Sequence, residues 1–98
     1  MDRIHVIADF SPCVGQKFHL NYPDHSDVLT LIDVIPARIQ IPGFRPGFFL
    51  QFVGANTKVM LSQHSYLLQN ETLGLLRILL TPMRRQKDGT FLYEAVFN

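Results

Sequence analysis

Several residue types that define small specialised domains are scarce in this 98-residue chain. The single cysteine, Cys13, cannot close an internal disulfide, which excludes a disulfide-stabilised scaffold. The formal net charge is only +1, whereas a nucleic-acid-binding domain usually carries a strong basic excess. Hydrophobic residues still make up 47% of the chain, which excludes intrinsic disorder. The composition predicts one globular domain over residues 1–98, without a nucleic-acid partner.

Long apolar runs are also missing. The most apolar stretch, Leu73 to Leu80, is short and contains Gly74 and Arg77, whereas a membrane-spanning helix needs roughly 20 apolar residues. The N-terminus carries Asp2 and lacks the apolar core and cleavage site of a secretory signal. We therefore expect a cytoplasmic protein with no membrane partner, which could leave the cell only as part of an assembly.

Short runs with period-two alternation, separated by turn-forming residues, predict β-strands. Apolar residues alternate with polar ones most clearly in residues 17–22, and similar alternation continues in residues 48–53 and 91–97. Residues 28–35 and 75–81 are apolar on both faces. Such runs are typical of strands covered on both sides, or of strands whose outer face meets a partner.

The segments between these runs predict turns. Ser11 to Gly15 can hold barely one helical turn. The Asp88-Gly89 pair predicts a tight hairpin in which both residues adopt positive φ. Pro36 to Gly47 reads as a long connection containing a bent edge strand at Arg38 to Ile41, and His64 is interpreted as a turn residue.

These elements predict an all-β fold, a small antiparallel barrel or sandwich of about six strands with at most one short helical turn near the N-terminus. The predicted core consists of the apolar residues that alternate inward, namely Phe10, Phe18, Leu20, Leu29, Leu31, Leu50, Phe52, Leu76, Ile78, Leu80, Tyr93 and Phe97.

Residues able to carry chemistry are few and match no established motif. His19, His25 and Asp27 could supply nitrogen and oxygen ligands to a metal ion, but their spacing matches no established metal motif, and a polar strand face followed by a solvated turn is the favoured interpretation. The neighbours of Cys13 supply no charge that would activate its thiol, so we interpret it as a small buried core residue. We therefore predict no enzyme, no catalytic residues, no metal site and no cofactor.

Two groups of residues are candidates for binding. Phe44, Arg45 and Phe48 in and beside the long connection combine aromatic and arginine side chains, which are enriched at protein interfaces; the same loop could instead fold over one end of the barrel. Arg84, Arg85 and Lys87 form a basic group before the hairpin. It could contact an anion, or it could be a solvated hairpin tip.

Five segments together resemble a family of short bacterial proteins catalogued as a domain of unknown function. They are Ala8 to Phe10, Val14 to Phe18, Leu29 to Val34, Phe49 to Phe52 and Tyr93 to Asn98. Members of that family are often encoded beside proteins that resemble phage tail-collar or tail-fibre proteins. The resemblance implies an accessory role in such an assembly, and it implies no catalytic residues.

We therefore expect a non-enzymatic interaction or structural module with a protein partner of the tail-collar or tail-fibre type. Binding would use a sheet edge or the Pro36 to Gly47 loop. The alternative is a small ligand- or metal-binding barrel, or an unrecognised hydrolase, that uses His19, His25 and Asp27. Self-association into a homodimer is a third expectation, since small β-domains often bury apolar surface in this way.

Overall fold

A computed structural model describes residues 5–39, 42–43 and 47–97 of the chain. Its elements are α1 (Ile7–Phe10), a 3₁₀ turn (Ser11–Cys13), β1 (Lys17–Asn21), β2 (Ser26–Pro36), β3 (Phe48–Gly54), β4 (His64–Asn70), β5 (Gly74–Arg85) and β6 (Phe91–Phe97). Neither helical element in these ranges has the length and apolar character needed to span a membrane. The helical turn predicted at Ser11 is present as the 3₁₀ turn, and α1 adds four helical residues directly before it that the sequence pattern did not indicate.

The six strands form one closed antiparallel barrel with the order β1-β2-β3-β6-β5-β4. This confirms the predicted all-β class and selects the barrel over the sandwich. Two long strands close it by changing partners along their length. β2 pairs first with β1 and then with β3, and β5 pairs through Gly74 to Leu80 with β4 and through Thr81 to Arg85 with β6.

The inward faces of the strands supply the core, as the alternation predicts. All of the predicted core residues are buried except Phe97, which is half-buried and packs against the others. Further buried apolar residues lie in segments to which the alternation assigned no inward face, among them Leu61, Tyr66 and Leu68. The first of these belongs to the connection between β3 and β4, and the other two belong to β4.

Three local predictions are wrong. His64 is the first residue of β4 rather than a turn residue. Arg38 and Ile39 form no strand, and Gln40 and Ile41 lie outside the described residues. The β5–β6 hairpin is present, but in the described part of the chain only glycines have positive φ, with Gly89 at 89° and Asp88 in an ordinary conformation. The loop is therefore a three-residue turn that ends on a left-handed glycine, a common alternative to the two-residue type.

The structure corrects the expectation that the side chain of Phe48 faces a partner. Its side chain is 2% exposed, and its ring stacks on that of Phe97 with centroids 4.8 Å apart. The first residue of β3 therefore fills one end of the barrel. Its neighbours in the predicted interaction loop, Phe44 and Arg45, lie outside the described residues.

The connection between β3 and β4, residues 55–63, crosses the opposite end of the barrel and is held there by two inward-facing polar side chains. The backbone N–H of Asn56 donates to Asp27 Oδ1 at 2.9 Å, and the N–H of Leu61 donates to the hydroxyl oxygen of Tyr93 at 2.9 Å. Burial raises the pKa of Tyr93, with the nearby Asp27 adding a smaller contribution in the same direction. The phenol therefore stays protonated at neutral pH, and both residues act as structural anchors.

Candidate protein-binding surface

The outer side of the β4–β5 hairpin carries three leucines that face solvent. Leu67 is 37% exposed, Leu75 is 65% exposed and Leu79 is 51% exposed. The register places Arg77 directly opposite Leu67 and between the other two leucines on β5. We call these four residues the leucine face.

The leucine face is not needed to build the core. The alternate residues of β5, which are Leu76, Ile78 and Leu80, already point inward and are buried. In an antiparallel barrel the outward residues meet water and are expected to be polar. Grouped large apolar side chains on such a face are typical of a surface that contacts another molecule.

Arg77 has no acidic partner in the described part of the chain. Its Nη1 donates to the backbone oxygen of Ser65 at 3.3 Å across the hairpin, and the ion pairs found there involve only histidines with aspartates. The guanidinium group is therefore a cation at the centre of an apolar surface, where a carboxylate from another molecule could pair with it.

The predicted basic group does come together at the β5–β6 hairpin. Arg84, Arg85 and Lys87 line a surface cleft of about 490 Å³ with Gln86 and Asp88. Arg85 is the best fixed of the three, because its Nη2 donates to Thr57 O at 3.4 Å and its guanidinium carbon lies 5.6 Å from the centre of the Phe91 ring. Hydrogen bonds from Thr90 lower the pKa of Asp88, which keeps that carboxylate bound within the hairpin. Contact with an anion at this site stays a prediction.

His19, His25 and Asp27 are not brought together. His19 lies on the outer face of β1 and lines a polar cleft of about 390 Å³ at the seam between β1 and β4, whereas Asp27 is buried inside the barrel. His25 stacks on Tyr22 with ring centroids 5.5 Å apart, and its Nδ1 lies 2.9 Å from Asp24 Oδ1. No cluster of three or more potential metal-ligating side chains occurs among residues 5–39, 42–43 and 47–97. In the structure His19 and Asp27 thus lie on opposite faces of the barrel wall, and metal or ligand binding by these residues stays a prediction.

An aromatic cluster that the sequence analysis missed surrounds Tyr66 at the end of the barrel where β4 begins. The rings of Tyr22, His25 and His64 all pack near Tyr66, with centroid distances of 5.2–6.4 Å. Both tyrosine hydroxyls also bond to backbone, Tyr66 as a donor to Ser62 O and Tyr22 as the acceptor from Leu67 N–H. These bonds assign the cluster to packing, and the separation of its members along the chain explains why no local motif reveals it.

The structure places Cys13 in the core. Its side chain is fully buried, and burial is the largest of the effects that raise the pKa of its thiol. A buried thiol that stays protonated is a poor nucleophile, which agrees with its interpretation as a small core residue.

Comparisons with known proteins identify a family and nothing more specific. The model of the family described as Domain of unknown function (DUF6916) matches residues 5–97. The comparison with curated proteins finds no match, and neither does the comparison with solved structures.

Proposed function

The chain belongs to this family of domains of unknown function, and from its surface we propose that it is a non-enzymatic protein-interaction module. The observation that carries the proposal is the leucine face, three exposed leucines around one arginine on the outside of a barrel whose core is already supplied by other residues. Apolar surface of this kind releases about 25 cal/mol for each Å² that a partner covers.

Features elsewhere in the molecule also favour binding over catalysis. The Cys13 thiol is buried with a raised pKa, and His19 and Asp27 lie on opposite sides of the barrel wall. An activated nucleophile needs a base within hydrogen-bond reach. The leucine face has no such requirement, because binding depends on the area and the complementarity of the surface.

The closed barrel also changes the expected mode of binding. A partner adds a strand to a sheet only where a strand edge is free, and each of the six strands here already has a neighbour on both sides. The outward side chains of β4 and β5 are the proposed contact, while binding through a sheet edge stays a prediction, because β1 and β4 pair with each other only at Phe18–Asn70 and His19–Gln69.

The proposed setting is an assembly of the phage tail-fibre or surface-displayed type, with a tail-collar-like or tail-fibre-like protein among its components. This part of the proposal is supported by the family resemblance alone. The Phe44 and Arg45 loop stays a second predicted contact for that protein, and it lies outside the described residues.

The proposal is tested by replacing two of the exposed leucines. The Leu75→Ser, Leu79→Ser double variant is expected to retain at least about tenfold less of the tail-collar-like protein encoded nearest to it, when the two are co-expressed and purified together. The reason is that two side chains worth about 1.5 kcal/mol or more each on burial are removed from the contact. The folded fraction of the variant is checked by circular dichroism before the comparison.

The chain offers a matched control outside the β4–β5 hairpin. Val59 and Met60 lie in the connection between β3 and β4 and are exposed to a similar extent, 52% and 49%. The Val59→Ser, Met60→Ser variant should retain the partner as the wild type does. Equal retention by the leucine variant, or equal loss in both variants, would contradict the proposal.

A further inference from the structure

The outer surface beside the leucine face carries a second charge that lacks a counter-ion. Glu94 lies on β6, directly opposite Thr81 of β5 and Gln51 of β3. Within the described ranges, neither an ion pair nor a hydrogen bond involves its carboxylate. Arg77 and Glu94 are therefore an unpaired cation and an unpaired anion on one continuous outer surface, too far apart to pair with each other.

The surface between these two charges is apolar. Leu79 is two residues from Arg77 and two residues from Thr81, the neighbour of Glu94. Val96 is two residues beyond Glu94 on β6, on the same side of the Thr81–Glu94 pair as Leu79, and it is 51% exposed. Along this outer surface the cationic Arg77 is thus followed by the apolar Leu79 and Val96 and then by the anionic Glu94.

A surface with this order of charges is complementary to the same surface on a second copy of the chain. In a two-fold symmetric contact, residue i of one copy meets residue j of the other, and j meets i. When two copies face each other across an axis that passes near Leu79, Arg77 of each copy lies against Glu94 of the other, and Leu79 and Val96 of both copies meet at the centre. A net charge of +1 per chain adds little repulsion between the copies.

We propose that this surface binds a second copy of the chain, in a symmetric dimer with two reciprocal Arg77–Glu94 ion pairs. The inference rests on the proposed function, because it uses the same leucine face. The second copy and the tail-collar-like protein compete for that face, so the dimer and the captured complex are alternative states of the chain. Charge complementarity makes a second copy a better fit than an entirely apolar partner, which would leave both charges buried and unpaired.

The test uses charge reversal and sedimentation velocity on the purified full-length chain. Arg77→Glu and Glu94→Arg should each shift the monomer–dimer equilibrium at least tenfold toward monomer, since each variant opposes like charges twice. An equimolar mixture of the two variants should recover the dimer at the wild-type concentration, because every opposed pair is again of opposite sign. Lys58→Glu, a charge reversal at an exposed lysine of the β3–β4 connection, should leave the equilibrium unchanged.

Two results would overturn this inference. The first is a mixture that stays monomeric at concentrations where the wild type is a dimer, and the second is a wild type that is monomeric at every concentration. If the wild type is monomeric and capture of the tail-collar-like protein still depends on Leu75 and Leu79, the second copy is the wrong occupant and the proposed function stands. If the mixture recovers the dimer while capture of the tail-collar-like protein does not depend on Leu75 and Leu79, the dimer stands and the proposal that the leucine face binds the tail-collar-like protein is wrong.

Discussion

Replacement of Asn70 with alanine is expected to lower the free energy of unfolding by about 3 kcal/mol, measured by urea denaturation at neutral pH. Asn70 is almost fully buried at the point where β4 meets β1 and closes the barrel. Its Nδ2 donates to Gln16 Oε1 and to Lys17 O. Its Oδ1 accepts from the backbone N–H groups of Thr72 and Leu73. All four hydrogen-bonding positions of the amide are therefore used.

An isosteric variant separates the contribution of the donating nitrogen of this amide from that of its accepting oxygen. Asn70→Asp keeps the acceptor that organises the β4–β5 turn, but it directs a carboxylate oxygen at two other oxygens, those of Gln16 and Lys17. The introduced carboxyl group should therefore have a raised pKa in the folded state, because only its protonated form can donate there.

The sign of the resulting pH dependence follows from that shift. Below about pH 3, where the group is mostly protonated in both folded and unfolded states, the Asn70→Asp variant should lose least stability, and its deficit should grow as the pH rises toward the folded-state pKa. The deficit of Asn70→Ala should show no such change. A deficit of Asn70→Asp that is constant from pH 3 to pH 7 would contradict the assigned hydrogen bonds.

Replacement of Gly54 with alanine is expected to cost about 3 kcal/mol of stability, again measured by denaturation. Gly54 ends β3 with both neighbouring strands paired to it. A Cβ atom at this position would lie 2.6 Å from Asp27 Oδ2 and 3.1 Å from Tyr93 Cε2. The methyl group must therefore displace the two side chains that hold the β3–β4 connection across the end of the barrel.

A double-mutant cycle identifies the cause of this cost. The closest atom to the added methyl belongs to the Asp27 carboxylate, so Gly54→Ala should cost about 1 kcal/mol less when Asp27 is already alanine. Asp27→Ala alone is also destabilising, since the N–H of Asn56 then loses its acceptor. Strictly additive effects of the two substitutions would show that the close approach to Asp27 is not the reason.

Much of the barrel could be predicted from local patterns, and the reason is visible in particular strands. In β1, β3 and β6 the apolar residues that alternate along the sequence are the ones that point inward. The sequence pattern did not predict β4. This strand begins with polar residues and ends with the buried Asn70, so its inward face is not uniformly apolar. The partners that justify burial of this amide, Gln16 and Lys17, are more than 50 residues away in the sequence.

The candidate surface was predictable in part. The two-sided apolar pattern of residues 75–81 is consistent with an outer face that meets a partner, and equally with a strand covered on both sides by its own chain. The strand order decides between them, because the closed barrel leaves the outer side of β5 uncovered by any described element. The alignment of Arg77, Leu79 and Glu94 depends on pairing between β5 and β6, which spacing along the chain does not reveal.

The central claim is that another protein chain covers the leucine face, and hydroxyl-radical footprinting measures this cover directly. Oxidation of Leu75 and Leu79 is compared between the dilute protein, the concentrated protein and the protein mixed with the tail-collar-like partner, with Val59 and Met60 as internal references. We expect oxidation of the two leucines to fall several-fold in at least one of the two associated states, while the reference residues keep their reactivity. Leucines that stay as reactive in both associated states as in the dilute protein would contradict the account.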